Sequence, residues 1–367
     1  MKKVLIIMYS GFEPGGIQNV ILNITKYLKN DFVFDAIVFN KNEQLYDNEF
    51  KKLGGMIYSI PHYDGKINFF RRLDFYIRYI RIYLNVRKII KNNGPYIAVH
   101  CNNSFESGII VKVAKKLNIP NRIVHVHTSG YVGPKSNCVR QLYEKYYKIL
   151  IEKYATKKIA CSRNAGEFLY LDMNQNFEVI PNGVDLEKFN HFCYKKKKSC
   201  EIRLIQIGQY CINKNQEFSI DLLYMLLNEG YNVSLKLIGF GEYINNLKKQ
   251  ISRLKISHDR IEFFPSNYSI PDALSDSDVL LLPSLSEGFA IVAIEAQAMG
   301  VPCIISEHLP RDADAGGCYF LSLNDQRKWI NQIIYLKNSK PKIDISKFDM
   351  KKISLRYKNL YKYGSGD

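Results

Sequence analysis

The sequence contains no run of about 20 apolar residues, which is the length that a membrane-spanning helix requires. It also contains no C-x-x-C pair, because its eight cysteines are scattered, mostly within apolar segments. A chain of 367 residues does not need disulfide bonds to hold a core together, so we interpret these cysteines as reduced, buried thiols. These absences predict a cytoplasmic protein without a spanning segment.

Positive charge is what the chain has in excess, with 52 Lys and Arg residues against 35 Asp and Glu residues and a formal net charge of +17. Most of the excess lies in residues 1–183, so this half is expected to meet an anionic partner. A nucleic-acid-binding protein would also be basic. However, the sequence has no recognisable nucleic-acid-binding module, and its basic and aromatic residues mix within one segment only. No nucleic-acid partner is therefore expected.

Short β-branched segments alternate with longer amphipathic ones, such as residues 16–29, whose apolar side chains share one helical face. This alternation predicts parallel sheets covered by helices, and it restarts after the lysine-rich residues 194–199. The predicted fold class is α/β, with two doubly wound, Rossmann-like domains at 1–183 and 184–345. Residues 346–367 contain a last helix, predicted from Ser346 to Tyr361, that has no strand partner and is expected to cross back to the first domain.

The predicted strands are 4–9, 32–39, 56–60, 96–100, 122–126 and 157–161 in the first domain and 202–208, 233–239, 260–264, 278–283 and 302–306 in the second. Doubly wound folds bind their ligands at the carboxyl ends of such strands. We therefore expect the ligand in a central cleft that faces the strand ends of both domains.

The strongest chemical signal follows the predicted strand 278–283. Glu287 precedes a helical segment, and Glu295 lies eight residues later within it. Eight helical residues rise about 12 Å, close to the reach from the hexose to the ribose of a sugar nucleotide. The backbone N–H groups of residues 288–290 lie at the start of the helix, where a diphosphate can bind. On spacing alone, two solvated glutamates beside an ordinary strand–turn–helix are an equally good interpretation.

The segment around both glutamates reads S-x-S-E-G-F-A-I-V-x-I-E-A and closely resembles the Glu-x7-Glu motif of the retaining family 4 GT-B glycosyltransferases. The likeness covers nearly the whole chain. Residues 181–185 resemble the interdomain P-N-G-V-D of that family, and residues 300–302 resemble its helix exit. The capsular and exopolysaccharide branch is the most similar. The resemblance implies a GT-B fold, with the acceptor bound by the first domain and the nucleotide sugar by the second.

Site residues follow from the resemblance position by position. Glu287 would hold the donor sugar and Glu295 the ribose. The implied catalytic residues are His127, Lys214 and Glu287. The implied donor-binding residues are Gly15, Gly16, Gln209, Lys214, Glu287, Gly288, Phe289, Ala290, Ile291 and Glu295.

The family pattern G-R-x4-K-N places an Arg and a Lys against the leaving diphosphate, and Lys214 matches it. Gln209 stands where the family has Arg. Losing a permanently charged, bidentate guanidinium is expected to weaken the stabilisation of the leaving group.

Gly15 and Gly16 close the first strand–helix turn, where glycine lets the backbone approach a phosphate or sugar.

Histidines and acidic triplets raise the question of a metal. His125 and His127 end a predicted strand on one face, so both could point toward the cleft, with His100 as a lesser candidate. The family has a sugar-contacting histidine here, and His127 matches it best. A metal interpretation lacks an obvious third ligand. The D-x-D triplet at 276–278 precedes its strand and that at 312–314 lies in a loop, so no metal and no cofactor besides the nucleotide-sugar co-substrate are expected.

Residues 66–91 form a basic segment rich in Phe and Tyr, which suits the surface of an anionic membrane, although an ordinary packed helix explains it nearly as well. The predicted function is retaining transfer of a sugar, from a UDP-sugar, to a polysaccharide or a lipid-linked oligosaccharide in capsule or exopolysaccharide synthesis. Two alternatives remain. Gln209 favours a weak or inactive scaffold for another transferase, and a sugar-nucleotide epimerase would need acid/base carboxylates that the sequence does not show.

Overall fold

A computed structural model describes residues 1–13, 15–40, 42–61, 71–102, 105–130, 138–171, 176–190, 200–339 and 341–362. The chain divides into two compact units. The first consists of Met1–Asn182 together with Met350–Asp367, and the second of Gly183–Asp349.

The strands are β1 (Lys2–Met8), β2 (Phe32–Val38), β3 (Ile57–Ser59), β4 (Tyr96–Cys101), β5 (Asn121–Val126), β6 (Lys157–Ala160), β7 (Glu178–Val179), β8 (Ile202–Ile207), β9 (Val233–Ile238), β10 (Ile261–Phe264), β11 (Val279–Leu282), β12 (Cys303–Ser306) and β13 (Cys318–Leu321). The helices are α1 (Gly16–Leu28), α2 (Asp47–Lys52), α3 (Arg71–Asn93), α4 (Ser107–Lys116), α5 (Cys138–Tyr154), α6 (Arg163–Leu169), α7 (Leu186–Asn190), α8 (Gln216–Asn228), α9 (Ile244–Arg253), α10 (Ile270–Ser275), α11 (Ile291–Ala298), α12 (Gln326–Asn338) and α13 (Met350–Lys362).

Each unit is built on one sheet. The strand order is β3-β2-β1-β4-β5-β6-β7 in the first unit and β10-β9-β8-β11-β12-β13 in the second, and every neighbouring pair is parallel. The α/β class and the two Rossmann-like folds predicted from the sequence are therefore confirmed. The short strands β7 and β13 were not predicted.

The central strands are covered on both faces, and for this reason their sequences are nearly continuous apolar runs. Residues 4–8 of β1 are all buried, as expected for a parallel strand covered by helices on both faces. In the second unit Trp329 of α12 is fully buried and packs edge-on against Phe218 of α8, with ring centroids 5.0 Å apart. Each sheet thus has its own core, and the loops at the strand ends are held by it.

Helix α13 belongs to the first unit, where Tyr361 packs edge-on against Phe32 and Phe34 at centroid distances of 5.5 and 5.9 Å. The prediction of one continuous helix from Ser346 was wrong. A 3₁₀ turn covers Ser346–Phe348, and Asp349 is extended before α13 begins. The break arises because the Val184 N–H donates to the Phe348 carbonyl (2.9 Å) and Val184 forms a parallel bridge with Asp349.

Membrane-spanning segments were not expected from the sequence. Within the described ranges, none of the helices has the length and the apolar character that crossing a bilayer requires.

Candidate active site

The loop after β8 carries Lys214, and two buried glutamine side chains form hydrogen bonds to the backbone of this loop. Gln206 of β8 donates from Nε2 to the Lys214 carbonyl at 2.7 Å. Gln216, at the start of α8, donates from Nε2 to the Gln209 carbonyl at 2.9 Å. Between them, Asn215 has a left-handed backbone with φ of 53°, which asparagine tolerates better than most residues. The backbone at both predicted phosphate-binding positions is therefore held by side chains of its own unit.

The same loop is joined to the one that follows the neighbouring strand β11. The Asn213 carbonyl accepts from the Leu285 N–H at 2.8 Å, and Asn213 Nδ2 donates to the Ser286 carbonyl at 2.8 Å. Asn215 Nδ2 donates to the Pro283 carbonyl at 3.2 Å. The two loops consequently form one structure at the carboxyl edge of the sheet.

This connection brings Lys214 and Glu287 together. The Lys214 ammonium donates to the Glu287 carboxylate in a salt bridge, with 22% and 14% of the two side chains exposed. The aliphatic part of the Lys214 side chain passes beside Gly208, where an added Cβ would be in ordinary van der Waals contact with it. Two residues that the sequence placed 73 positions apart thus form a mostly buried ion pair at the strand ends. A diphosphate arriving there would offer the ammonium a second anionic partner.

Helix α11 begins at Ile291, and Ala290 in the N-cap position provides no side-chain acceptor. The leading N–H groups of a helix need acceptors from elsewhere, so this terminus favours an anion. Gly288 is half-buried, whereas the Phe289 ring is buried and packs against Phe348 at 6.3 Å. Ala290 is also buried. The packed Phe289 ring anchors this segment, so the backbone N–H groups of Phe289 and Ala290 are held in place just before the helix.

The structure corrects the estimate of spacing between the two glutamates. Only the residues from Ile291 onward are helical, so the rise of about 12 Å for eight helical residues does not apply to the whole interval from Glu287 to Glu295. The first part of that interval is a turn.

Glu295 is half-buried on α11, and no described residue donates a hydrogen bond to its carboxyl group. Burial raises its pKa from 4.5 to about 7, and the charge of Lys188 lowers it only in part. The free protein therefore contains, near neutral pH, a carboxyl group that is only partly ionised. Such a group is suited to accept hydrogen bonds from a polar ligand.

In the first unit, Gly15 and Gly16 lie where predicted, at the start of α1. Gly15 is the N-cap residue in an extended conformation, and a Cβ on it would meet Oε1 of Gln18 at 2.4 Å. Gln18 in turn donates to Ser10 Oγ (3.0 Å) and to the Gly11 carbonyl (3.2 Å). A side chain at position 15 would therefore push the buried Gln18 side chain out of its present place.

His127 directly follows β5 and is half-buried, with its Nε2 3.0 Å from Oδ1 of Asn102. Burial lowers the pKa of His127 to about 3, with a smaller raising effect of Asn182, so the ring is neutral at physiological pH. His125 is fully buried because its strand face is covered by α13, where Tyr357 lies 5.9 Å from it.

The acidic triplets have structural roles. Asp278 accepts from Arg203 at 3.0 and 3.1 Å, and Asp276 is paired with both Arg203 and Lys236. Asp314 accepts from the N–H groups of Gly316 (2.8 Å) and Cys318 (3.1 Å), which shapes a turn. Among the described residues, no group of three or more His, Cys, Asp or Glu side chains is arranged to hold a metal ion.

Sequence reasoning identified Lys214 and Glu287 but missed the residues that bring them together. Asn213 and Asn215 flank the lysine, and this Asn-Lys-Asn tripeptide is the available signal, because asparagine amides commonly bond to loop backbone. Asn102, the partner of His127, comes directly after β4 and had no distinguishing pattern. The predicted residues of the second unit gather at the ends of β8 and β11, and those of the first unit lie at the ends of β1 and β5.

Comparison with known proteins identifies the family of the chain. Residues 14–188 match the model of the Glycosyltransferase Family 4 and residues 189–312 that of the Glycosyl transferases group 1. The putative glycosyltransferase EpsF of Bacillus subtilis is 31% identical over 86% of this chain and 82% of its own. The UDP-Gal:alpha-D-GlcNAc-diphosphoundecaprenol alpha-1,3-galactosyltransferase of Escherichia coli is 29% identical over 72% of each chain.

Among solved structures, Anabaena Alr3699/HepE in complex with UDP-glucose has a TM-score of 0.71 and 16% identity, covering 98% of this chain and 95% of that one. This likeness concerns the fold. Taken with the two family models and with the relative from Bacillus subtilis, it leads to one conclusion: the chain belongs to the family 4, group 1 glycosyltransferases of GT-B fold, and it is a glycosyltransferase.

Proposed function

We propose that this glycosyltransferase takes its sugar from a UDP-sugar, retains the anomeric configuration, needs no metal, and transfers to a lipid-linked oligosaccharide or polysaccharide in capsule or exopolysaccharide synthesis. The observation that carries the proposal is the Lys214–Glu287 pair at the joined loops after β8 and β11. In the free protein the two charges neutralise each other. When donor binds, the ammonium moves to the diphosphate, and the carboxylate is released to accept hydrogen bonds from sugar hydroxyls.

The neighbouring helix start complements that exchange. The diphosphate is stabilised by Lys214 and by the backbone N–H groups of residues 288–290, which directly precede the N-terminus of α11. Since the developing charge in transfer is on the leaving phosphate, groups aimed at that phosphate lower the barrier. Glu295, further along α11, accepts from the ribose hydroxyls in its ionised form.

The identity of the nucleotide is supported by two relatives. The galactosyltransferase of Escherichia coli has UDP-Gal and a diphosphoundecaprenol-linked sugar in its name, and Alr3699/HepE binds UDP-glucose. The capsular branch is supported by the sequence resemblance. A donor with UDP and an acceptor linked to a polyprenyl diphosphate are consistent with both.

Retention without a metal rests on the family resemblance and on how the carboxylates are used. The departing phosphate acts as the base for the acceptor hydroxyl, so no carboxylate is needed beneath the sugar. His127 contacts a sugar hydroxyl as a neutral ring. Asp276 and Asp278, the best placed D-x-D carboxylates, are already engaged by Arg203 and Lys236, which argues against their use for a divalent cation.

A contact with an anionic membrane through part of residues 66–91 is the second part of the proposal. Residues 66–70 lie outside the described ranges. On α3, Tyr76, Ile80 and Leu84 are spaced four residues apart and are all exposed, and Arg87 and Lys88 continue the exposed face. Apolar groups with adjacent cations are suited to insert at the headgroup level of an anionic bilayer.

Helix α5 extends the same kind of surface. Its exposed apolar residues are Leu142, Tyr146 and Ile149, and Tyr146 contacts Tyr79 of α3 at a ring distance of 6.4 Å. Lys112 of α4 donates to the Tyr79 hydroxyl at 2.9 Å. An acceptor carried on a membrane lipid would then be met by the unit that is expected to bind it.

The proposal is tested by thermal shift and donor hydrolysis with UDP-, GDP-, ADP- and CMP-sugars, each with and without EDTA. We expect stabilisation and slow cleavage by UDP-sugars that EDTA leaves unchanged. Binding without cleavage or transfer to any acceptor would favour an inactive scaffold, and loss of activity with EDTA would contradict the metal-free mechanism. Formation of a new sugar nucleotide would instead indicate an epimerase.

A further inference from the structure

A chain of buried hydrogen bonds runs through the first unit from α13 to the end of β5. The hydroxyl group of Tyr361 lies 2.8 Å from Nδ1 of His100, and Nε2 of His100 lies 3.3 Å from Nδ1 of His125. All three side chains are fully buried. Burial lowers the pKa of His100 to about 3 and that of His125 well below its usual value, so each ring carries a single proton.

Tyr361 determines which atom donates in each of these hydrogen bonds. A buried hydroxyl group needs an acceptor, and among the described residues the Tyr361 hydroxyl has only Nδ1 of His100. Tyr361 therefore donates, and the proton of His100 is on Nε2. His100 then donates to Nδ1 of His125, so the proton of His125 is on Nε2 as well.

A second, independent contact fixes His127. Asn102 Nδ2 donates to the His100 carbonyl at 3.4 Å, which turns Asn102 Oδ1 toward His127. An amide oxygen only accepts, so Nε2 of His127 carries the proton and donates at 3.0 Å. Nδ1 of His127 is left as an acceptor without a hydrogen bond in the described part of the chain, and the Asn182 side chain, whose buried Oδ1 also has no partner there, lies close enough to the ring to raise its pKa.

The two ring nitrogens that remain, one on His125 and one on His127, are complementary. Nε2 of His125 is a donor and Nδ1 of His127 an acceptor, both are buried, and neither has a partner in the part of the chain that the structure describes. The ring centroids are 3.9 Å apart with the planes tilted by 41°, so the two rings stack and do not bond each other. One group that both accepts and donates would satisfy both nitrogens, and a hydroxyl group has this chemistry.

We propose that Asn102, and Tyr361 acting through His100, are positioning residues that set the tautomers of His125 and His127, so that this histidine pair presents one donor and one acceptor to a single hydroxyl group. The hydroxyl belongs either to a substrate sugar or to a bound water molecule. Only the sugar case rests on the proposed function, because the tautomers are a property of the free protein.

The tautomers are measured on the full chain, labelled with ¹⁵N at its seven histidines, by two-bond ¹H–¹⁵N correlation. We expect His100, His125 and His127 to be neutral near pH 7, with each proton on Nε2. A proton on Nδ1 of His125 or of His127 in the unsubstituted protein would overturn the assignment.

Substitutions test the positioning roles of Tyr361 and Asn102 separately. Tyr361→Phe removes only the donating hydroxyl, so a fraction of His100 and His125 with the proton on Nδ1 should appear while His127 is unchanged. Tyr357→Phe is the matched control, because this buried tyrosine lies one turn earlier on the same helix and its hydroxyl has no partner among the described residues. If both variants shift the rings equally, or neither does, the directional role of Tyr361 is wrong.

Asn102→Leu should give a mixture of His127 tautomers and lower kcat/KM for transfer on the order of tenfold, the value of one neutral hydrogen bond. Asn102→Asp keeps the accepting oxygen, so it should keep the proton on Nε2 and restore most of the activity. Equal loss in both variants, with an unchanged His127 tautomer, would mean that Asn102 acts only on folding.

The source of the hydroxyl is read from the same spectra. A nuclear Overhauser contact between the Nε2 proton of His125 and water in the free protein identifies a bound water. A shift of His127 Nδ1 on adding UDP-galactose or UDP-glucose, absent with UDP alone, identifies a sugar hydroxyl. If neither signal appears, the hydroxyl part of the proposal fails even where the tautomers are as expected.

Discussion

Lys214 and Glu287 form a mostly buried salt bridge between the loops that follow β8 and β11. The asparagines on either side of Lys214 bind backbone of the β11 loop, so the pair is held by the loop framework as well as by its charges. A pair held in this way keeps its geometry when one partner turns to a ligand. It can therefore serve as a preformed site for a group that carries both negative phosphates and neutral hydroxyls.

Removing the charge of Lys214 should abolish most of the activity while leaving the fold intact. We expect Lys214→Met to lower kcat by about 100-fold or more, which is typical for loss of a group that stabilises transition-state charge. Activity is measured as transfer with saturating UDP-sugar, and folding as the thermal midpoint. The matched control is Lys236→Met, since Lys236 is also paired with a carboxylate and is 19% exposed, but its partner Asp276 lies before β11. A loss of similar size in the control would show that any broken ion pair of this unit impairs transfer.

Restoring a guanidinium at position 209 should increase turnover. The Gln209 side chain is exposed, and its carbonyl is held by Gln216, so an arginine can be accommodated without moving the loop. We expect Gln209→Arg to raise kcat by roughly tenfold, because a charge-assisted hydrogen bond to phosphate is stronger than that of a neutral amide. Gln209→Met gives the effect of chain length without a donor. If the arginine variant is no faster than the unsubstituted enzyme, leaving-group stabilisation does not limit this enzyme at that position.

Most of the strands could be predicted because parallel strands buried on both faces read as continuous apolar runs, as in β1 and β11. Strand β13 (CYFL) escaped prediction although it is apolar, because a run of only four residues, half-buried at the sheet edge, is too short to distinguish a strand from other apolar segments. At the site, Lys214 and Glu287, which the sequence predicts as separate ligands of the donor, form an ion pair, and their roles stay predictions. The contacts that bring them there could not be inferred, since Asn213 and Ser286 become neighbours only when β8 and β11 pair.

The tertiary contacts of the histidines could not be inferred from the sequence either. The i, i+2 spacing of His125 and His127 predicted a shared strand face, and their rings do stack. That His100 is the next link depends on β4 lying beside β5, and that Tyr361 covers it depends on α13 packing over that sheet. Both are tertiary relationships, which no local pattern carries.

Glu295 should make stability depend on pH. Its pKa is 4.5 in its ordinary state and about 7 in the folded protein, so the folded state binds the proton more tightly than the unfolded chain. Stability therefore falls as pH rises from about 4.5 to about 7 and is level above that window. The loss is on the order of 1 to 3 kcal/mol, with solvent screening of a half-buried group favouring the lower value. Urea unfolding at pH 5 and pH 8 measures it, and Glu295→Gln should lose this component.

The same group predicts the pH dependence of donor affinity. If the ionised carboxylate accepts from the ribose, the dissociation constant for UDP should decrease as pH rises through about 7. Titration of the enzyme with UDP at several pH values tests this, with Glu295→Gln as the variant that should be weak and pH-independent. A UDP affinity that is flat in the unsubstituted enzyme would remove Glu295 from the ribose site.

Membrane association should depend on the exposed face of α3. Ile80→Ser with Leu84→Ser removes two exposed apolar side chains that lie one helical turn apart, without touching the buried face. We expect binding to vesicles that contain phosphatidylglycerol to fall by about tenfold or more, since each side chain contributes through the apolar area it buries in the bilayer.

The control for that experiment is Leu355→Ser, because Leu355 is similarly exposed at 56% and lies on a different helix, α13, of the same unit. Its binding to the vesicles should be unchanged. Neutral phosphatidylcholine vesicles should bind weakly throughout, and added salt should weaken binding to anionic vesicles because the cations of α3 contribute by screened Coulomb attraction. Salt-independent binding, or equal loss in Leu355→Ser, would mean that general hydrophobic adsorption, and not a face formed by α3, holds the protein at the lipid surface.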